Sequence, residues 1–185
     1  AGTSWTVGGV DDFDGDLRND LLMWDSASGV VEFWLLNGVT RLGTAPLSGA
    51  APLPPAWKPS ASADFNGDGR PDVLWRNSVS RQLLVWTLNG TAKSGEIVPT
   101  PGQAVDLNWE VVGALDVDLA GGVDLVWYNW SSGKIVLWYM DTALQRLSGR
   151  FATPANAGDA NWKVLALGDY GVGPGGQPET GDLVW

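Results

Sequence analysis

The chain has 185 residues, 44% hydrophobic and only 17% charged, with 25 Gly, 11 Pro, 12 Trp and a net charge of −10. That mixture suits short strands, tight turns and aromatic filling rather than disorder, and the negative charge argues against nucleic acid and anionic lipid, which bind through Lys and Arg neutralising phosphate. There is no Cys and no His, which removes disulfides and the commonest general base, and no apolar run is long enough to insert in a membrane.

The opening residues, Ala1 to Trp5, lack the basic start and apolar stretch of a signal peptide, so the chain reads as a processed form or as one that never carried such a segment. From Trp5 onward a period dominates. Trp5, Trp57, Trp109 and Trp162 recur at 52, 52 and 53 residues, as do Asp12, Asp64, Asp116 and Asp169; Trp34, Trp86 and Trp138 recur at 52 and 52. Markers sharing one spacing establish an internal repeat.

The first copy, 5–56, and the second, 57–108, carry the same text, clearest in the second. Trp57–Ala63 is predicted as a strand, followed by a loop over Asp64–Asp72 and by Val73-Leu74-Trp75, apolar without alternation as in a strand buried on both faces. A turn over Asn77–Arg81 leads to a third strand, Leu83–Leu88, and Asn89-Gly90, matched by Asn37-Gly38, turns the chain into a weaker fourth. Gly29 and Gly133 supply a left-handed residue at the second turn of their copies. The third copy, 109–161, has Asp141-Thr142 in place of the last Asn-Gly, and the fourth, 162–185, stops at its second strand, after a loop containing Gly173 to Gly176.

Tandem four-stranded units of this length predict an all-β fold: a β-propeller segment over 1–185, with three complete antiparallel blades and an inner half-blade. About three and a half blades fall short of the four to eight that close a ring. The expectation is therefore self-association through the incomplete blade, or a piece of a longer propeller.

The chemistry lies in the loop after each first strand. Copy one places oxygen-bearing side chains at Asp12, Asp14, Asp16 and Asp20; copy two at Asp64, Asn66, Asp68 and Asp72. Positions one, three, five and nine of a tight loop thus converge on one centre, and the carbonyls of Arg18 and Arg70 at position seven can complete an oxygen shell. Such a shell suits Ca2+, which takes six to eight oxygens. Copy three keeps Asp116, Asp118 and Asp124 but has Ala120 at position five, so weaker binding is expected there; copy four separates Asp169 from Asp182 by an insertion, and no ion is expected. Ten of the 21 acidic residues sit in the first three loops, leaving 11 against 11 Lys and Arg, so nearly all the net charge is concentrated where a cation would offset it. Asx turns need only one or two of these side chains.

The run Ala63-Asp64-Phe65-Asn66-Gly67-Asp68-Gly69-Arg70-Pro71-Asp72-Val73-Leu74-Trp75, with Val85-Trp86-Thr87-Leu88-Asn89-Gly90 after it, resembles the FG-GAP/VCBS repeats, the blade type also found in integrin α-subunits, and most closely their bacterial secreted versions. The resemblance implies a calcium-stabilised propeller, extracellular or at the cell surface, used for adhesion or for carbohydrate or protein recognition, with the ligands carried over to the residues of loops one and two.

The tryptophans opening each blade and on its second and third strands are expected to pack blade on blade. Trp130, in the turn Asn129–Gly133, lies outside the repeat and is a candidate glycan or protein contact. Two functions follow: a non-enzymatic binding module, or a structural subunit of a homomeric ring or extracellular filament in which a neighbouring chain completes the half-blade. An enzyme is not expected, because the metal loops account for the aspartates and no other acid–base constellation stands out.

Overall fold

The computed structural model describes residues 4–153, 155, 166–168 and 182–184, which are all-β and contain no helix. The first sheet has the order β1-β2-β3-β4, from β1 (Trp5–Asp11), β2 (Asp20–Asp25), β3 (Val31–Asn37) and β4 (Thr40–Pro46). The second runs β5 (Trp57–Ala63), β6 (Asp72–Asn77), β7 (Leu83–Asn89), β8 (Ala92–Ile97), and the third β9 (Trp109–Leu115), β10 (Asp124–Asn129), β11 (Ile135–Met140), β12 (Arg146–Phe151). Each is an antiparallel meander in sequence order, the form of a propeller blade. β13 (Ala166–Gly168) and β14 (Asp182–Val184) pair antiparallel as a fourth, two-stranded sheet, where the half-blade was expected. Trp162, Asp169, the Gly173–Gly176 loop and the side chain of Asp182 lie outside the described residues. The chain forms two compact units, 1–98 and 99–185.

The repeat extends to its irregularities. Each first strand carries one extra residue, at Gly8, Ser60 and Val112, and each fourth strand another, at Leu42, Ser94 and Leu147. Such bulges raise the local twist. In the first unit the Gly8 bulge meets the second blade, where a Cβ would lie 2.4 Å from Pro59 Cγ, so only glycine fits.

The turns refine the expectation. Asn37 pairs with Thr40 and Asn89 with Ala92, so the loop residues are Gly38-Val39 and Gly90-Thr91, one step later than Asn-Gly, with φ of 61° and 63° at the two glycines. Glycine at the first central position is the type II′ requirement, and the asparagines close the ladder instead of entering the turn. The second turn is left-handed at Gly29 (φ 76°), Arg81 (φ 69°) and Gly133 (φ 67°), so the middle copy holds an arginine in this conformation. In the third blade Asp141 organises a longer connection, its Oδ1 accepting the Ala143 and Gln145 amides.

The first unit is held by blade-on-blade packing. Leu22, Trp24, Val31 and Phe33 of the first blade share one apolar core with Val73, Trp75, Trp86 and Leu88 of the second. Strand alternation sends Trp24 and Trp75 to different faces: Trp24 stands one residue out of register with Trp75, whose counterpart in the first blade is Met23. The core still closes, because these opposite faces are the ones that meet. Trp75 packs on Trp86 at 4.9 Å between ring centroids, and Trp127 on Trp138 at 4.6 Å. A cation of the fourth strand caps the third-strand indole in every blade: Arg41 over Trp34 at 4.5 Å, Lys93 over Trp86 at 5.0 Å and Arg146 over Trp138 at 4.8 Å.

Candidate metal centre

Each acidic loop is folded by the aspartate at its first position. Asp12 Oδ1 accepts the amides of Gly15 and Asp16 at 2.8 and 3.0 Å, and its Oδ2 that of Leu17 at 2.8 Å. Asp64 repeats this with Gly67, Asp68 and Gly69 at 2.9, 3.0 and 2.7 Å. Asp116 does so with Ala120 and Gly121 at 3.1 and 2.8 Å. One carboxylate thereby gathers successive N–H groups of a segment with no strand partner. Gly15 (φ 83°) and Gly67 (φ 75°) turn the chain at position four with open space around them.

Position nine does different work. Asp72, fully buried, accepts the Leu88 amide on Oδ1 at 2.9 Å and the Phe65 amide on Oδ2 at 3.0 Å. Asp124 does the same with Met140 and Val117 at 2.8 and 3.0 Å. Asp20 binds the Leu36 amide at 2.8 Å, while its buried Oδ2 has no full hydrogen bond. This residue therefore ties the loop to the third strand of its own blade, at the amide beside the fourth-strand bulge. Phe13 and Phe65 at position two are buried beneath their loops, Phe13 at 4.8 Å from Phe33.

In the first loop Asp12, Asp14 and Asp20 bring carboxylate oxygens within 4.8 Å of one another, and in the third Asp116, Asp118 and Asp124 do the same. Oxygens held at about 2.3–2.6 Å from one ion lie at most about twice that distance apart, so both groups have a spacing that can hold a metal. The buried Oδ2 of Asp20 has only a weak approach from the Phe13 amide, which leaves the first site an acceptor with spare capacity. Asp16 instead turns to Arg18 at 2.8 Å, on the surface. In the second loop the Asn66 side-chain amide donates to Asp68 Oδ2 at 3.1 Å. Arg18 and Arg70 donate their amides to Asp16 and Asp68 at 2.9 Å. Ala120 removes an oxygen from the third loop without dispersing its three carboxylates.

Electrostatics agree with a cation-seeking site. Burial, reinforced by the charges of Asp68 and Asp64, pushes the Asp72 carboxyl up to about 6. Asp20 and Asp124 are raised as well, burial again leading and the neighbouring loop aspartates adding to it. In the first unit a cleft of about 500 Å³ runs between loops one and two, lined by Asp12, Asp14, Asp64 and Arg70 and by the Asn89-Gly90 turn.

Trp130 is 43% exposed, but its Nε1 donates to Glu110 at 2.6 Å and its ring meets Tyr128 edge-on at 4.7 Å, so the indole is held in place. The position-two Phe residues and the cation over each indole had gone unassigned in the sequence; the available signal was their recurrence, Phe13 and Phe65 at 52 residues and Arg41, Lys93 and Arg146 at 52 and 53.

Two family models match the chain: an FG-GAP-like repeat over residues 12–75 and an FG-GAP repeat over 59–95. Comparison with curated proteins gave no match. Among solved structures, a chain of Kuenenia stuttgartiensis hydrazine synthase aligns at 13% identity and a TM-score of 0.42, covering 82% of this chain and 50% of that one. The chain thus spans half the length of that structure's chain.

Proposed function

Because residues 12–95 are FG-GAP repeats, we propose that this chain is a calcium-stabilised, non-enzymatic propeller module of the extracellular space, used for adhesion or for recognition of carbohydrate or protein. The observation that carries the calcium reading is the convergence of three carboxylates in loops one and three, each including a buried position-nine aspartate. Asp12, Asp14 and Asp20, and Asp116, Asp118 and Asp124, would hold the ion, with Asp64, Asn66, Asp68 and Asp72 in the second loop. A bound Ca2+ would supply positive charge where the carboxylates repel one another and link the loop to the strands behind it. The role is structural, since the position-one and position-nine aspartates already serve backbone amides and the sequence offers no His or Cys beside them. An extracellular setting suits such sites, where calcium is abundant enough for weak loops. Among the described residues no helix is long and apolar enough to cross a membrane.

The test is thermal unfolding of the chain in excess chelator and in millimolar calcium, together with calorimetric titration of the stripped protein. An ion that binds only the folded state raises the midpoint, by about 2.7 kcal/mol of stability at a hundredfold excess over Kd. Coincident melting curves and no heat of binding would end the calcium reading.

Self-association as a ring or filament subunit, in which a neighbouring chain pairs with the sheet formed by β13 and β14, remains the second reading. Light scattering separates the two: a monomer at high concentration speaks against it.

A further inference from the structure

The third blade differs from the second around its third-strand indole in a way that the metal loops do not explain. On the face formed by Trp109, Trp127 and Trp138, its outer strands border a groove of about 320 Å³, which continues over Phe151, Arg146 and Arg150. We propose that this groove binds a small aromatic carboxylate, its ring against Trp109 and Phe151 and its charge on the arginines.

The argument is an internal comparison. In the second blade Lys93 lies over Trp86 and is neutralised by Glu96 at 2.8 Å, and Glu96 is the residue paired with Trp86 across the sheet. In the third blade Arg146 lies over Trp138 in the same way, but the residue paired with Trp138 is Gly149. A Cβ there would sit 3.4 Å from Trp138 Cδ1, so the missing side chain leaves room for the groove beside an indole that is itself buried. The next residue, Ile97 in the second blade, is Arg150 in the third, and Gln82 is replaced by Lys134, whose Nζ lies 5.5 Å from the Phe151 ring. One acid is lost and two cations are gained on an otherwise repeated scaffold.

Arg146 and Arg150 are exposed and have no ion-pair partner among the described residues, in a chain that carries only 11 Lys and Arg against 21 acids. Unpaired guanidinium groups beside an apolar wall suit a carboxylate, which they can hold in a two-pronged hydrogen bond. The wall sets the other half of the ligand. It is mostly indole, phenyl and aliphatic surface, with Phe151 at 55% exposure, and offers few partners for hydroxyl groups. Burying a sugar's hydroxyls there without hydrogen bonds would cost binding energy, whereas an aromatic ring stacks without loss. The volume is at the small end for ligand sites, which fits a single ring and not an oligomer. The inference goes beyond the proposed function and holds with or without calcium in the loops.

The test is a chemical-shift titration of the full chain at about 0.15 M salt, where distant charges are screened, with 3-phenylpropionate, its uncharged amide and glucuronate. The expected result is saturable binding of the carboxylate, with shifts at the Trp109 indole and the Phe151 ring, and binding of the amide and of glucuronate weaker by about tenfold or more. Gly149→Glu rebuilds the second blade's ion pair and Arg150→Ile its apolar residue; each should weaken 3-phenylpropionate by about tenfold at an unchanged melting temperature. Equal binding of acid and amide, tighter binding of glucuronate, or full affinity in the variant that keeps its melting temperature would each overturn the assignment, as would no binding at all.

Discussion

Substituting Gly122 by alanine tests how the third acidic loop is seated. A Cβ at Gly122 would fall 2.2 Å from the Met140 carbonyl oxygen and 2.8 Å from Asp141 C, with no positive φ involved. To reach even 3.0 Å the Met140 carbonyl has to retreat by most of an ångström. That motion pulls on the Met140 amide, which Asp124 holds at 2.8 Å. Forcing backbone apart in a packed region costs about 1–3 kcal/mol, and weakening a buried hydrogen bond to a carboxylate adds about 1–2 kcal/mol, so Gly122→Ala should lose about 2–5 kcal/mol before the gain of about 0.4–1 kcal/mol that either alanine takes from the unfolded chain. Its neighbour is the control. Gly121 has φ 91° and open space where a Cβ would go, so alanine there meets only backbone strain. That strain is about 1–2 kcal/mol, less about 0.4–1 kcal/mol regained from the unfolded chain. Urea unfolding of both variants in chelator would give the two losses, with equal m values as the check on a two-state comparison. If Gly122→Ala were no worse than Gly121→Ala, the loop would not rest on the end of β11, and the link between Asp124 and Met140 would be incidental.

Asp14 is exposed and accepts only the Asp16 amide, at 3.1 Å, so Asp14→Ala should leave stability in chelator within about 0.5 kcal/mol while reducing the calcium-dependent rise in melting temperature. Arg81 holds φ 69° where the other blades have glycine, so Arg81→Gly should stabilise by up to about 1 kcal/mol, measured by the same unfolding curves. Asp25 is lowered to about 2, chiefly by the Ser28 hydroxyl, with Ser4 and the Ala27 amide adding to it. A depressed carboxyl contributes stability above its unfolded value of 3.8 and loses it as pH falls through about 2, so wild type should lose more than Asp25→Asn between those limits. An NMR titration placing the Asp25 midpoint near 3.8 would remove the basis for this expectation.

The period, the four-stranded unit and the loop aspartates were legible because each depends on residue type at fixed spacing. Trp57–Ala63 was bounded to the residue, since a tryptophan opens the strand and an aspartate ends the loop side. What escaped were features set by register. Asn89-Gly90 was displaced by one because asparagine and glycine both suit turns, and only the pairing of Asn89 with Ala92 decides which residues sit in the loop. Trp24 shared a strand with the place Trp75 occupies but lay one residue out of phase, and a step of one in a strand reverses the face. In the third loop Asp116, Asp118 and Asp124 were legible from their spacing; what was not is that they are placed by backbone amides, that of Ala120 among them, and by strand ends, so no side-chain oxygen at residue 120 is needed to bring them together.

The outermost strands offer a last consequence. β4, β8 and β12 are outer sheet edges; Ser48 pairs with the start of β8 and Thr100 with the start of β12, and the outward N–H and C=O groups beyond them would template pairing with any extended chain. Each is interrupted by a bulge and bears an Arg or Lys folded back over an indole. A kinked margin carrying a positive charge is a poor docking rail for a stray strand. The cation over each tryptophan thus serves twice, shielding an aromatic face and guarding the blade rim against amyloid-like growth.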